Sequence, residues 1–379
     1  MELRAAGTER ATVAAGIVLG AAVTWNVSSV GASADPLAEA YGVSLTAIGL
    51  LTTALFITHL AAQLPAGHAS DRVGARRVGL VALAAVAAGN ALALIGDAYG
   101  LAVLGRLVAG LGTGGGFVAG LDLVRAGAGG PTAQGVYGGG TMVGGGLAIA
   151  IVPLLDGWLG WRAPFWTGLV LAVACLAPLL AIADPPRARL HHERARVVGD
   201  RRLLPLGLVQ SATFGLSVVA ANWVVTLLER QGVERAVAGI AGSLTLFAGI
   251  VTRPGGGLLV RRRPDLSRRV VAACLVVAAA GASLLALAGP LALSVLGSAL
   301  LGLAVGVPFA TVMTATQRLR PDAPAAAVGF VNGLAVLTVL VGTPLAGLAF
   351  SLPSDGQLAF AAIAALMALA LVPLARARL

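Results

Sequence analysis

The chain has 379 residues, of which 58% are hydrophobic and only 11% are charged, whereas soluble domains carry about 25% charged residues. This composition excludes a soluble enzyme with a water-facing surface. The net charge is +10 and every basic residue is arginine, so nucleic-acid binding has to be weighed against membrane topology. The two cysteines, Cys175 and Cys274, lie in apolar runs, which predicts core packing rather than a disulfide or a metal site.

Long apolar runs recur along the whole chain and exceed the length of strands in soluble sheets. A membrane-spanning helix takes about 20 residues, so the chain has room for about a dozen. We predict an all-α integral membrane fold with twelve transmembrane helices in two pseudo-symmetric six-helix bundles. The predicted helices span residues 11–33, 43–66, 78–96, 101–122, 133–155, 162–182, 203–228, 236–258, 270–288, 291–315, 325–349 and 357–375.

The longest polar stretch, residues 184–202, divides the predicted helices into two sets of six. We therefore predict an N-terminal bundle over 1–183, a cytoplasmic linker over 184–202 and a C-terminal bundle over 203–379. The linker is too short for a signalling domain, which disfavours a membrane sensor.

The arginines are distributed unevenly between the two ends of the predicted helices. With the N-terminus inside, cytoplasmic segments carry 21 arginines and outward segments carry 3. By the positive-inside rule, both termini are cytoplasmic, in the cytoplasmic (inner) membrane. The basicity therefore reflects topology, and no nucleic-acid partner is expected. The apolar run before Ala32-Ser33-Ala34 is too long for the core of a cleaved signal peptide.

The sequence resembles itself at half its length. With an offset of 190 residues, Gln63–Gly67 falls on Arg253–Gly257, and with an offset of 192, Gly110–Gly114 falls on Gly302–Gly306. Each pair joins helices at equivalent places in the two halves. The pattern predicts a parallel duplication, a plan common to many secondary transporters.

The segment Gly67–Arg77 has the pattern G-x-x-x-D-R-x-G-x-R-R between the second and third helices. The glycines favour a tight turn, and Asp71 has a charge that pairs with arginines or with a helix N-terminus. Across essentially its whole length, the chain resembles the major facilitator superfamily, whose signature this is. The resemblance implies a conformational latch on the cytoplasmic side, formed by Gly67, Asp71, Arg72, Gly74, Arg76, Arg77 and, on the fourth helix, Asp122. The second half has Arg261 at the position of Asp71 and Pro264 at that of the glycine, so it predicts one latch, not two.

Two further elements of this resemblance leave alternatives open. The run Arg106–Gly112 resembles an R-x-x-x-G-x-G element of proton-coupled members, which makes Arg106 a candidate coupling residue. Alternatively, Arg106 snorkels to the outer interface, since it lies near the end of its predicted span. The glycines of 135–146 favour either close helix packing or room for a small substrate.

Acidic residues are scarce inside the predicted spans, where only Asp122 and Asp35 occur, each near an end. Arg253 is instead placed within the eighth span, where an isolated cation costs at least about 2.5–3.5 kcal/mol. It should therefore face a cavity or a partner, and its guanidinium suits a planar oxyanion. The alternative is that Arg253 caps its helix or reaches lipid phosphates.

A weaker resemblance links the chain to the nitrate/nitrite porter and cyanate transporter-like branches. It rests on Gln63–Arg72 and on Arg253-Pro254-Gly255-Gly256. Those porters have a pair of arginines, and Gln63 stands at the position of the first. This difference indicates either an altered anion specificity or a lost one.

The candidate substrate-binding set consists of the buried polar and aromatic residues expected to face a central cavity. Its members are Arg253, Gln63, Trp25, Asn26, His59, Tyr137, Thr141, Asn222, Trp223 and Asn332. The Trp25–Asn26 and Asn222–Trp223 pairs are preferred because their helices are related by the repeat. His59 is also a candidate for proton coupling, since its side chain titrates near neutral pH.

These observations predict a secondary active transporter, not an enzyme, that moves a small solute by alternating access. The preferred solute is a small anion; the alternative is proton-coupled export of hydrophobic, drug-like compounds. We expect no cofactor and no metal. The expected partners are the substrate, the lipid bilayer and a co-transported proton or other ion, with the protein as a monomer.

Overall fold

The computed structural model describes residues 2–127, 130–184, 197–287, 289–350, 352–354 and 356–379. Every regular element in these ranges is a helix. The α-helices are α1 (Glu2–Ala32), α2 (Ala34–Tyr41), α3 (Leu45–Val73), α4 (Ala75–Leu94), α5 (Tyr99–Ala126), α6 (Pro131–Leu159), α7 (Ala163–Ala174), α8 (Leu176–Ala181), α9 (Leu204–Gln210), α10 (Leu216–Arg230), α11 (Arg235–Arg262), α12 (Ser267–Ala286), α13 (Leu291–Gly306), α14 (Pro308–Leu319), α15 (Pro324–Ala349), α16 (Gln357–Leu369) and α17 (Leu371–Arg376).

The described residues contain eleven helical runs that are long and apolar enough to cross a membrane. One of them, Pro131–Ala181, is 51 residues long, far more than the roughly 20 that one crossing needs. A 3-10 turn over Gly160–Arg162 divides this run, and Gly160 has a φ of +58°. The run therefore holds two spans, which gives the twelve-helix fold predicted from the apolar pattern.

The boundary between the second and third spans differs from the prediction. Helix α3 continues to Val73, so most of the predicted loop 67–77 is helical. Only Gly74, with a φ of +98°, separates α3 from α4. A positive φ is readily adopted by glycine alone, and this single residue turns the chain.

Two spans of the second half are interrupted within their length. A π-helical turn over Ser211–Gly215 joins α9 to α10. The α13 helix ends just before Val307, which precedes Pro308, a residue with no backbone N–H to continue the hydrogen-bond ladder. Such π-turns often occur at functional sites, and this one contains Phe214, which contacts a buried arginine of the same unit.

The chain forms two compact units. Unit 1 comprises 1–129, 140–197 and 320–329, and unit 2 comprises 130–139, 198–319 and 330–379. The predicted division into 1–183 and 203–379 stays a prediction. Most of the predicted linker, 185–196, lies outside the described residues.

Each unit contains an equivalent crossing of two glycine-bearing helices. In unit 1, a Cβ on Gly89 of α4 would lie 2.4 Å from the carbonyl oxygen of Gly105 of α5. In unit 2, a Cβ on Gly281 of α12 would lie 2.7 Å from the carbonyl oxygen of Gly297 of α13. Gly89 and Gly281 are related by the 192-residue offset found in the sequence, and so are Gly105 and Gly297. The repeat therefore extends to close backbone contacts that the sequence comparison had not singled out.

Candidate functional site

Arg253, within α11, is the centre of a candidate site in unit 2. Its Nη1 donates a hydrogen bond of 3.0 Å to the carbonyl oxygen of Gly138. Its Cζ lies 4.6 Å from the ring centroid of Phe309 and 5.4 Å from that of Phe214. Such cation–π contacts are stronger when the cation is desolvated, and the Arg253 side chain is buried.

The alternative interpretations of Arg253 as a helix cap or a lipid contact do not agree with this geometry. The residue lies nine positions before the end of α11 at Arg262. The hydrogen bond that caps this helix runs from the backbone N–H of Arg263 to the carbonyl oxygen of Leu259. Its hydrogen bond is made across to α6. The guanidinium is therefore held inside unit 2.

The glycines at the start of α6 allow its backbone to approach Arg253. A Cβ on Gly135 would lie 2.3 Å from the carbonyl oxygen of Arg253. A Cβ on Gly138 would lie 2.5 Å from Cδ1 of Phe309 and 3.0 Å from Cδ of Arg253. No larger residue fits at either position without displacing these groups. Close packing is thus the role of these two glycines.

The described contacts of Arg253 include one backbone carbonyl and two aromatic rings. The sequence contains no Asp or Glu in 204–228, 236–262, 267–319 or 323–354. Tyr137, predicted from the sequence, is buried in the same unit. Phe214 and Phe309 were absent from the predicted set because only the folded chain reveals which rings flank the guanidinium.

The buried polar residues of unit 1 form a different arrangement around His59. Nδ1 of His59 lies 3.0 Å from Oγ1 of Thr113 on α5, and Nε2 lies 2.9 Å from Nε2 of Gln63. The structure thus brings together two predicted residues, Gln63 and His59. Thr113 was not predicted, since a threonine within a glycine-rich helix gave no distinguishing signal.

Arg106 is 1% exposed, so the prediction that it snorkels to the outer interface is wrong. Its Nη1 donates to the carbonyl oxygen of Asn26 at 2.9 Å, and its Nε donates to that of Leu51 at 3.4 Å. Asn26 in turn accepts a 2.7 Å hydrogen bond from Asn90. These carbonyls on α1 and α3 hold the guanidinium among the helices, which satisfies two of its donor groups away from water.

The paired Trp and Asn residues of the repeat bind neighbouring helices of their own unit. Trp25 donates from Nε1 to Oγ1 of Thr167 at 3.2 Å. Trp223 donates to the carbonyl oxygen of Thr343 at 2.9 Å, and the exposed Asn222 donates to its Oγ1 at 3.3 Å. The remaining predicted residues are buried in different units, Thr141 in unit 1 and Asn332 in unit 2.

The signature motif binds the first turn of α15 within unit 1. Oδ1 and Oδ2 of Asp71 accept hydrogen bonds from the backbone N–H groups of Ala325 and Ala326, at 3.0 and 2.9 Å. A negative charge at a helix N-terminus is stabilised by the helix dipole. Gly67 permits this contact, because a Cβ there would lie 2.6 Å from the carbonyl oxygen of Ala325.

The other motif residues have separate partners. Asp122 accepts hydrogen bonds from Oγ of Ser70 at 2.8 Å and from Nε of Arg125 at 2.7 Å. Its contact with the motif segment is therefore the hydrogen bond from Ser70. Arg76 donates to the carbonyl oxygens of Leu179 and Leu180 at the end of α8. Arg72 and Arg77 are exposed, and Arg77 lies 3.7 Å from Asp184.

The prediction that only Asp122 and Asp35 occur within the spans is wrong in detail. Asp35 lies in α2, beyond the end of α1 at Ala32. Asp71 lies within α3 because that helix extends to Val73. Asp156 lies in α6 and accepts a 3.1 Å hydrogen bond from Ser33. All these acids are near helix ends, where polar partners are available.

The sequence is similar to that of a known transporter. A relative from Cupriavidus pinatubonensis, named a probable 4-methylmuconolactone transporter, is 26% identical over 271 residues, which is 62% of this chain and 60% of the relative. The alignment therefore spans less than two thirds of that relative's length.

Solved structures of membrane transporters share the fold. The fucose:proton symporter of E. coli has a TM-score of 0.75 at 14% identity, with 97% of this chain and 99% of that chain covered. The human organic anion transporter MFSD10 has a TM-score of 0.73 at 18% identity, with 97% and 99% covered. The proton:xylose symporter XylE, bound to 6-bromo-6-deoxy-D-glucose, has a TM-score of 0.75 at 13% identity, with 97% and 95% covered.

The family comparison agrees with the fold and the motif. The sequence profile described as Major Facilitator Superfamily matches residues 14–326, which is most of the chain. Twelve membrane-spanning helices, the Asp71 motif and the duplicated glycine crossings are all consistent with that profile. The chain is a multi-pass membrane protein that belongs to the Major Facilitator Superfamily.

Proposed function

We propose that this protein is a secondary active transporter that moves a small organic anion across the membrane by alternating access, with Arg253 as its anion-binding group. The observation that carries the proposal is a buried guanidinium held between Phe214 and Phe309, in a unit whose spans are almost free of acidic residues. A bound carboxylate would offset part of the free energy that a buried cation costs in hydrocarbon.

The aromatic rings favour an anion with an apolar body over a small inorganic ion. A carboxylate binds the guanidinium fork, while a flat or hydrophobic body packs on the rings. Gln63, at the position of the first porter arginine, provides no second guanidinium and is bonded to His59 instead. This difference disfavours nitrate. The name of the Cupriavidus relative makes 4-methylmuconolactone one of the first compounds to test.

The arginine distribution supports a cytoplasmic membrane location with both termini inside. We further assign the latch role to Asp71, because its two hydrogen bonds to the N-terminus of α15 join distant parts of the chain. A reporter enzyme that is active only outside the cytoplasm, fused after Arg376, should remain inactive. An active fusion would contradict this topology.

Ligand binding to the purified protein tests the anion proposal directly. A ligand that prefers the folded state stabilises it by about 2.7 kcal/mol at a hundred times its Kd. We expect benzoate and 4-methylmuconolactone to raise the melting temperature more than nitrate or fucose does. Arg253→Gln should abolish the shift, and Arg253→Lys, which keeps the charge but not the fork, should retain part of it.

The same measurement separates the anion proposal from the alternative. Equal stabilisation of the original protein and Arg253→Gln by carboxylates would overturn the role of Arg253. Stabilisation of both proteins by uncharged hydrophobic compounds, and by no anion, would favour export of hydrophobic compounds instead.

A further inference from the structure

Three buried side chains of unit 1 form a continuous hydrogen-bonded chain between α3 and α5. Nε2 of Gln63 meets Nε2 of His59, Nδ1 of His59 meets Oγ1 of Thr113, and Oγ1 of Thr113 donates to the carbonyl oxygen of Gly110 at 3.1 Å. All three side chains are at most 5% exposed. A titratable ring is therefore closed off from solvent with a defined partner on each nitrogen.

The direction of each hydrogen bond follows from the donors available. The amide nitrogen of Gln63 only donates, so Nε2 of His59 accepts from it. The ring proton then lies on Nδ1 and is donated to Thr113, whose own hydroxyl proton goes to Gly110. This arrangement selects the neutral ring in a single tautomer.

The amide of Gln63 can also form a hydrogen bond with the protonated ring of His59. Its Oε1 is buried and has no hydrogen-bond partner among the described residues. Rotation of the amide by half a turn would bring this oxygen to His59 and allow it to accept a proton from Nε2. The backbone does not need to move, and it is tightly held, since a Cβ on Gly114 would lie 2.2 Å from the carbonyl oxygen of His59.

We propose that His59 is a proton-binding site of unit 1 and that rotation of the Gln63 amide accommodates its two charge states. The rotation exchanges one unpartnered amide atom for the other, so the two states differ mainly in the charge on the ring. Gln63 also packs through its backbone on Gly329, where a Cβ would lie 2.3 Å from the Gln63 carbonyl oxygen. Gln63 follows His59 by one turn of α3. Protonation of His59 therefore places a charge one turn away from the backbone contact between Gln63 and Gly329.

Charged groups on the surrounding helices are distant from the ring along the helix axes. The nearest on α5 is Arg106, seven residues from Thr113 and thus about 10 Å along the axis. The helices packed around His59 carry several ionisable residues. They are Tyr99, Arg106, Asp122 and Arg125 on α5, His68, Asp71 and Arg72 on α3, Arg76 and Arg77 on α4, Asp35, Glu39 and Tyr41 on α2, and Glu2, Arg4, Glu9 and Arg10 on α1. Segment 324–329 has none. Gln63 and Thr113 are the side chains that hydrogen-bond to the ring in the described part of the chain.

Nuclear magnetic resonance of ring-labelled histidine tests the proposal without any substrate. A protein with His68, His191 and His192 replaced by Gln retains His59 as its sole histidine. We expect its ring signals to show the Nδ1–H tautomer at high pH and to change to those of the protonated ring as the pH is lowered. Gln63→Leu removes the acceptor for the Nε2 proton and should lower the midpoint, whereas Gln63→Glu should raise it.

Thr58→Val is a matched control, because Thr58 lies beside His59 but bonds to the carbonyl oxygen of Leu107. Its midpoint should match that of the sole-histidine protein. Ring signals that stay constant with pH in both the sole-histidine protein and Gln63→Glu would overturn the proposal, as would equal midpoints in all variants. If Gln63→Leu fails to elute as a single species, the rise with Gln63→Glu decides alone. Failure here would leave the anion site at Arg253 untouched.

Discussion

Unit 1 and unit 2 each bury an arginine within a membrane-spanning helix, but they surround it in different ways. Arg106 donates to the carbonyl oxygens of Asn26 and Leu51. Arg253 donates to the carbonyl oxygen of Gly138 and lies over the rings of Phe309 and Phe214. Both guanidinium groups are thus held by backbone carbonyls, and of the two only Arg253 lies over aromatic rings in the described part of the chain.

Depth in the membrane therefore does not by itself assign a function to an arginine. Both residues are buried, and both lie in spans without a nearby acid in the sequence. The roles that we propose follow these neighbours: a structural role for Arg106 and anion binding for Arg253. Substitutions around each arginine distinguish these two roles.

The largest effect should come from the glycines that bring backbones together in each unit. A Cβ on Gly135 would lie 2.3 Å from the carbonyl oxygen of Arg253, and a Cβ on Gly329 would lie 2.3 Å from that of Gln63. Gly135→Ala and Gly329→Ala should each lower the free energy of unfolding by about 2–3 kcal/mol, because overpacking forces the helices apart.

Gly255→Ala is the matched control for these variants, since nothing lies within 4 Å of the position where its Cβ would be. Thermal unfolding in detergent measures all three proteins. If Gly135→Ala melts at the same temperature as Gly255→Ala, the close approach at Arg253 is not required for stability.

Arg106→Gln should lower stability by about 2 kcal/mol, since hydrogen bonds that involve a charged group contribute about 1.5–3 kcal/mol each. Its affinity for a carboxylate ligand should stay within about twofold of the original, a difference of less than about 0.5 kcal/mol. Melting temperature and binding titration on the same preparation separate the two effects. A loss of affinity without a loss of stability would assign the anion site to unit 1.

Asp71→Asn should reduce stability by about 1–2 kcal/mol, because one charge-assisted bond from Ala325 or Ala326 becomes neutral and the other is lost, since an amide nitrogen cannot accept it. The effect should be smaller than that of Arg106→Gln, since the amide oxygen still accepts one bond. Asp265→Asn serves as the control, as that acid is exposed and pairs only loosely with Arg263. Matching melting temperatures for the two variants would remove the structural basis of the latch.

The smallest effect should follow from Phe309→Leu, which keeps an apolar residue but removes a ring 4.6 Å from the guanidinium. Loss of the cation–π contact should weaken anion binding by about 0.5–1 kcal/mol, or a few-fold in Kd. Phe247→Leu, on the exposed surface of α11, is the control. An unchanged affinity in Phe309→Leu would show that the ring does not take part in binding.

The sequence predicted the twelve spans because a membrane helix needs a long apolar run, and such runs are visible without any tertiary contact. It was less successful at the ends of helices. The 67–77 segment lies between two predicted helices, yet it is helical to Val73 and again from Ala75. Asp71 and Ser70 have buried hydrogen-bond partners in this segment.

The residues of the two candidate sites, around Arg253 in unit 2 and around His59 in unit 1, were predicted only in part. Arg253, Gln63 and His59 were identifiable as polar residues within apolar runs. Phe214, Phe309 and Thr113 were not, since aromatic and small hydroxyl residues are common in any membrane helix. The position of Phe214 also depends on the π-turn Ser211–Gly215, which leaves no sequence signal.

Composition, the arginine distribution and the half-length repeat determined that this chain is a duplicated, multi-helix membrane protein, because the bilayer imposes those patterns on any sequence that crosses it repeatedly. The tertiary structure alone decided that Arg106 is caged by carbonyls and Arg253 is flanked by rings. It also decided that His59 has a partner on each nitrogen. The physical reason is that hydropathy indicates only which segments cross the membrane. The hydrogen bonds and ring contacts of a side chain depend on the residues that other helices place next to it.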